Sequence, residues 1–252
     1  MKTLTRDAEV RPWLRSRMVA VVATLSLLCG FATSPVDAVF RGDLDKVKRA
    51  LDSGEVKIGD RFDSGFTLLH AAAIRGDVPI AELLVERGAQ VNDLRNDLKR
   101  TPLFLASMNR RQAMVEWLLD HGARDSLSEK DAGGITPLLV AVSTVRLQKD
   151  AYATNALGHI FASPKVEESR PDLAIVSALL RAGADPNGPR TPNGNTALHI
   201  AAWWGHSDVV GLLLSKGADP SLVNGVGHTA EQLARSAGKD ETARLIAAAG
   251  GR

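Results

Sequence analysis

Residues 193–220 read NGNTALHIAAWWGHSDVVGLLLSKGADP, and the spacing of their glycines and apolar residues decides the fold. The stretch opens on a glycine turn, enters an apolar-periodic helix at Thr196 that stops at Gly205, restarts at Ser207 and ends at Gly217. A threonine at a helix entrance can accept from the orphan amides of the first turn, and a glycine past the last turn takes a left-handed conformation that a side chain resists. The pattern predicts a helix-turn-helix unit preceded by a hairpin turn.

The unit recurs along the chain. Entrance threonines stand at Thr67, Thr101, Thr136, Thr196 and Thr229, and terminal glycines at Gly88, Gly122, Gly183, Gly217 and Gly250. In four of the five copies threonine and glycine are 21 positions apart; in the third they are 47 apart, which places 26 extra residues inside that copy. Pro102 and Pro137 follow their threonines at the first helical position, where no amide donor is needed. Leu83, Leu84, Leu118, Leu119, Leu179, Leu180, Leu213 and Leu214 are expected to bury the second helices against their neighbours.

The motif around Thr196, with Leu198, His199, Ala201, Ala202, Gly205, Leu213, Leu214, Gly217, Ala218 and Asp219, resembles the ankyrin repeat, whose signature is T-P-L-H-x-A at a period of about 33 residues. Ala197 departs from it, standing where proline is usual. Copy two departs further, with Phe104 for the motif histidine, Lys99 for the turn glycine and Arg110 for the interhelical glycine. The resemblance implies an all-α solenoid of helix-turn-helix units joined by β-hairpin fingers, with an insertion in the third full repeat. Its expected divisions are an N-terminal capping repeat over 33–60, repeats over 61–94, 95–128, 129–188 (insertion 146–171) and 189–221, and a C-terminal cap over 222–252. The cap substitutes Glu231, Gln232, Arg235 and Lys239 at positions that would otherwise be apolar, as a water-facing end requires.

Residues 1–17 are polar and basic, and residues 18–32, MVAVVATLSLLCGFA, carry no charge. This is the pattern of a signal peptide over 1–32, too short for a comfortable membrane span, which needs about 20 apolar residues. Cleavage is expected after Ala32, since cutting after Ala38 would remove the start of the first helix of the N-terminal cap. The expected location is then periplasmic or secreted, with no membrane attachment after cleavage. The single cysteine, Cys29, falls inside the leader, preceded by Ser26, Leu27 and Leu28, a poor context for lipid attachment. Without the leader the formal charge of +2 falls to about −1 with no basic tract, which leaves no electrostatic footprint for nucleic acid.

Six histidines invite a search for chemistry. His70 and His199 are motif histidines, which the resemblance implies tie neighbouring turns together; His121, His206 and His228 hold repeat positions, and only His159 is off-pattern. There is no G-x-S-x-G, H-E-x-x-H, phosphate loop or dinucleotide fingerprint. Asp63, Asp97 and Asp131 come one per repeat, as turn formers would, rather than as a converging pair. No catalytic residue, metal or cofactor is expected, and the chain reads as a non-enzyme.

What remains is surface. In ankyrin proteins the finger tips and the exposed end of the inner helix line a concave groove that binds partner proteins. The matching residues here are Ile74, Arg75, Met108, Asn109, Ser143, Thr144, Trp203, Trp204, Ser236 and Ala237, with Phe66, Arg100, Asn195 and His228 in the fingers. Trp203 and Trp204 stand out, because the repeat requires nothing apolar there and tryptophan is enriched among binding hot spots. Trp117, in the second helix of its repeat, is expected in the core. The functional expectation is a monomeric, non-catalytic scaffold in the cell envelope that holds an unidentified partner protein. The alternative is an enzyme or secreted effector working through the insertion, with Tyr152, His159 and Glu167. Ala151, Ala156, Leu157 and Ile160 would there extend the first helix of the third repeat.

Overall fold

The computed structural model describes residues 34–62, 65–94, 96–143, 171–188 and 191–251. The leader, Asp63, Arg95, Thr144, nearly all of the insertion with Tyr152, His159 and Glu167, and Arg190 lie outside the described residues. Pro35–Arg252 forms one compact unit.

Its helices come in pairs. They are α1 (Pro35–Arg41) and α2 (Leu44–Asp52), α3 (Leu68–Arg75) and α4 (Val78–Glu86), α5 (Pro102–Met108) and α6 (Gln112–Asp120), α7 (Pro137–Val142) and α8 (Leu173–Arg181), α9 (Ala197–Trp204) and α10 (Ser207–Ser215), and α11 (Ala230–Ser236) and α12 (Asp240–Gly250). First helices pack on first helices and second on second, each only on its immediate neighbours, so the pairs form two layers of a linear stack. Among the described residues no helix is long and apolar enough to cross a membrane.

The entrances are built as the threonines require. Thr67, Thr101, Thr136, Thr196 and Thr229 are extended, and each side chain accepts from the amide three residues on. At Thr67, Thr196 and Thr229 the threonine's own amide donates in return to the side chain of residue N3 (His70, His199, Gln232), closing a capping box. Asp43, Asp77 and Asp172 cap second helices in the same way, each accepting from an amide of the first turn.

The two layers meet over small residues. Ala72, Ala106, Ala201 and Ala234, each five residues after its threonine, are fully buried and let first helices approach closely. Opposite them Leu84, Leu118, Leu179 and Leu213, each four residues before the terminal glycine, are also fully buried. Each contributes about 1.5–3 kcal/mol by leaving water. Of the expected leucine pairs, Leu118 with Leu119 and Leu179 with Leu180 are buried at both positions, whereas Leu83 and Leu214 are only partly buried. Trp117 is half-buried against the core and stacked on the His121 ring at 4.1 Å.

The fingers are short: among the described residues there is no extended strand, and an isolated antiparallel bridge joins Val223 and Thr229. Four fingers are turns closed by a backbone bond four residues long, Phe62 to Phe66 (2.8 Å), Asp131 to Ile135 (2.9 Å), Thr191 to Asn195 (3.0 Å) and Asn224 to His228 (2.9 Å), and the fifth is closed by the Asn96 side chain, which donates to the Arg100 carbonyl at 2.6 Å and accepts from the Arg100 amide at 2.9 Å. α7 ends at Val142, with Ser143 extended (φ −71, ψ 131), and Ala151, Ala156, Leu157 and Ile160 of the insertion lie outside the described residues.

Candidate functional site

The fingers are tied to one another before any surface is left for a ligand. The Thr67 amide donates to His70 Nδ1 at 3.1 Å, so that nitrogen carries no proton; Nε2–H is then left to donate to the carbonyls of Asp93 (3.1 Å) and Arg100 (3.0 Å) in the next finger. Burial pushes the His70 pKa below its ordinary value, against the opposing pull of the Asp93 carboxylate. His199 repeats the arrangement: its Nδ1 accepts from Thr196 and its Nε2–H donates to the His228 carbonyl at 3.1 Å. The motif histidines are therefore bridges, as the resemblance implies.

Ion pairs do the same work. Arg61 reaches Asp93 at 2.6 Å and Arg100 reaches Asp131 at 3.1 Å. Asp131 also accepts from the amides of Gly133 and Ile135, confirming its part as a turn former. Among the described residues no three His, Cys, Asp or Glu converge closely enough to hold a metal.

These bonds sort the candidate residues. Arg100 is withdrawn: its side chain is 9% exposed, paired with Asp131 and laid over the Phe104 ring at 5.2 Å. Phe66 meets the His70 ring edge-on at 5.4 Å and also serves the frame. Arg75 pairs with Asp77 at 3.2 Å and donates to the Phe40 carbonyl of the preceding repeat. Asn109 caps α5 by donating to the Leu105 carbonyl, and Asn195 accepts from Asn224 at 2.9 Å. His228 is exposed; its carbonyl accepts from His199 of the preceding helix and its amide donates to Asn224 Oδ1 in its own turn.

Ile74, Met108 and Trp203 remain. Each stands seven residues after its capping threonine, at the C-terminal end of a first helix, and each is half-buried. Ser143 and Ser236 hold the same position in their repeats. Phe40, two residues before the interhelical Gly42, extends the row and is 45% exposed. It went unnoticed because its repeat has no motif threonine from which to count; counting back from the glycine would have found it. Of the tryptophan pair, Trp204 packs against the core, which puts more weight on Trp203.

The comparisons agree with this frame. A family model described as ankyrin repeats (3 copies) matches residues 36–131, and a second, ankyrin repeat, matches residues 193–225. A Danio rerio protein named as palmitoyltransferase ZDHHC13 is 31% identical over 204 residues, 77% of this chain but 31% of its own length. The chain thus spans under a third of that relative. Two solved structures superpose with TM-score 0.67 over 86% of this chain and 98% of theirs. One, at 25% identity, is titled EF0377, an ankyrin repeat protein; the other, at 22%, is a chain of the Bdellovibrio bacteriovorus predatory endopeptidase Bd0816 in complex with immunity protein Bd3460. With its stacked helix pairs, histidine bridges and family matches at both ends of the array, the chain belongs to the ankyrin-repeat family.

Proposed function

We propose that this chain is a non-catalytic binding protein of the cell envelope, which holds a partner protein on the face formed by the C-terminal ends of its first helices, with Trp203 as the anchor. The observation that carries the proposal is the position of Trp203. It is half-exposed where the frame uses a serine in two other repeats, and it continues the register of Phe40, Ile74 and Met108. A large apolar side chain held at a helix end by rigid neighbours loses little entropy on binding, and tryptophan truncation at such anchors costs 2 kcal/mol or more, about 30-fold in affinity.

The envelope location rests on the basic stretch and apolar run of residues 1–32. The solved neighbour whose title pairs an endopeptidase with an immunity protein suggests a first class of partner to test, an endopeptidase. The transferase activity in the name of the Danio rerio relative forms no part of this proposal.

Capture from an envelope extract with the chain beginning at residue 33 tests the reading. Trp203→Ala should lose the partner while keeping its thermal transition, and equal recovery by wild type and variant would remove Trp203 from the site. N-terminal sequencing of the envelope-fraction protein tests the leader; a start at Met1 would overturn it.

A further inference from the structure

Three Asn-Gly pairs lie in the C-terminal half of the array, Asn187–Gly188, Asn193–Gly194 and Asn224–Gly225. Glycine leaves the following amide nitrogen unshielded, so Asn-Gly is the sequence in which that nitrogen most easily reaches the asparagine side-chain carbonyl. Whether it does so in a folded chain depends on what holds the side chain.

The three differ sharply. Asn187 donates from Nδ2 to the Gly217 carbonyl at 2.8 Å and accepts at Oδ1 from the Asp219 amide at 2.7 Å. Asn224 donates to Asn195 Oδ1 at 2.9 Å and accepts from the amides of Val226 (3.1 Å) and His228 (3.0 Å). Both side chains join repeats or close a finger. Asn193 is exposed, and among the described residues its side chain makes no hydrogen bond; only its backbone carbonyl is engaged, accepting from the Gly225 amide at 2.9 Å.

We propose that Asn193 is a site of spontaneous deamidation, and that it converts before Asn187 and Asn224. The Gly194 nitrogen forms a bond to Asn193 Cγ, the Cγ–Nδ2 bond breaks, and the displaced nitrogen leaves as ammonia with the proton lost from the Gly194 amide. Bulk water then opens the cyclic imide at either carbonyl, giving aspartate or isoaspartate; no oxidant or reductant takes part. In the folded chain the Gly194 amide donates to the Thr191 carbonyl at 2.8 Å, so this single turn bond must open first. At Asn187 two side-chain bonds must break, and at Asn224 three, together with the bond from the Gly225 amide to the Asn193 carbonyl.

The product alters more than charge. Gly194 stands so close to the next finger that a Cβ there would meet the Gly225 nitrogen at 2.6 Å. Isoaspartate puts one extra methylene into the main chain beside this contact and carries the Asn193 carbonyl away from the Gly225 amide. The mark therefore loosens the seam between the last two fingers.

The folded full chain is incubated at mildly alkaline pH, and each Asn-Gly peptide is followed by mass spectrometry, with isoaspartyl methyltransferase as a second readout. Asn193 should gain about one dalton at least about tenfold faster than either of the others. The difference should vanish in urea, where all three are equally free. Amide exchange at Gly225 should quicken in the converted chain and stay slow in Asn193→Gln, whose longer side chain forms the ring poorly. Conversion of Asn187 or Asn224 at the same rate as Asn193 in the folded chain, or an Asn193 that stays intact while the urea-unfolded chain converts, would overturn the proposal.

Discussion

Replacing Lys99 by glycine should stabilise the protein. In four fingers the fourth residue of the turn is a glycine with positive φ: Gly65 at 76°, Gly134 at 78°, Gly194 at 74° and Gly227 at 83°. The fifth finger puts Lys99 there, at 50°, with its amide still donating to the Asn96 carbonyl at 3.0 Å. An L-residue in the left-handed region costs about 1–2 kcal/mol, from the Cβ crowding the carbonyl. Glycine removes that cost but gives back about 0.5–1 kcal/mol through the freer unfolded chain. The exposed lysine head group contributes nothing to weigh against the change, so the net gain is about 0.5–1 kcal/mol, or roughly 1–4 °C in Tm for a chain of this size. Urea unfolding of wild type, Lys99→Gly and Lys99→Ala measures it. The glycine variant should move the midpoint upward at unchanged m, and the alanine variant, which keeps the Cβ, should not. Equal stabilisation by both would refute the backbone explanation and point to the charge instead.

Three further outcomes follow from the same geometry. Because burial holds the folded pKa of His70 below its ordinary value of 6.5, the unfolded chain takes up this proton first as pH falls; the stability from neutral His70 is full above about pH 6.5 and is lost below it, toward the folded pKa. Urea midpoints at pH 7.5 and 5.5 should fall apart more in wild type than in His70→Gln. Asp131→Ala removes the carboxylate that pairs with the 9%-exposed Arg100 side chain and the cap on its own turn, a loss of about 3–5 kcal/mol by chemical denaturation. Gly194→Ala should cost distinctly more than Gly227→Ala: both have positive φ, but a Cβ at Gly194 meets backbone at 2.6 Å whereas one at Gly227 meets nothing within 4 Å.

How much of this could be read from the sequence differs by level. The helix pairs were legible because their signals are local, a threonine at each entrance and a glycine at each exit. The motif histidines were legible for the same reason, since Thr67 and His70 lie in one turn. The part played by Arg100 was not: what buries it is Asp131, in the next finger, and sequence spacing gives no distance between fingers. Trp203 could be separated from Trp204 only once the packing beneath them was seen. Phe40 was missed because it counts from a glycine rather than from a threonine.

The turn between the helices of a pair is covered by the pair that follows. A Cβ at Gly42 would stand 2.5 Å from Arg75 Nη2, one at Gly76 would stand 2.7 Å from the Arg111 stem, and one at Gly205 would stand 2.7 Å from Lys239. Arg75 and Arg111 also donate back to the Phe40 and Ile74 carbonyls. Arg111 and Lys239 hold N-cap positions without capping, their side chains being used across the seam instead. The overlap runs in one direction, like roof tiles. On a ribosome each turn stays open to water until the next pair emerges and shuts it, so closure is vectorial and trails synthesis by one repeat. Trimming the array from its C-terminal end exposes a glycine turn, whereas trimming it from the N-terminal end uncovers none of the turns at Gly76 and Gly205 and leaves only a cation at the surface.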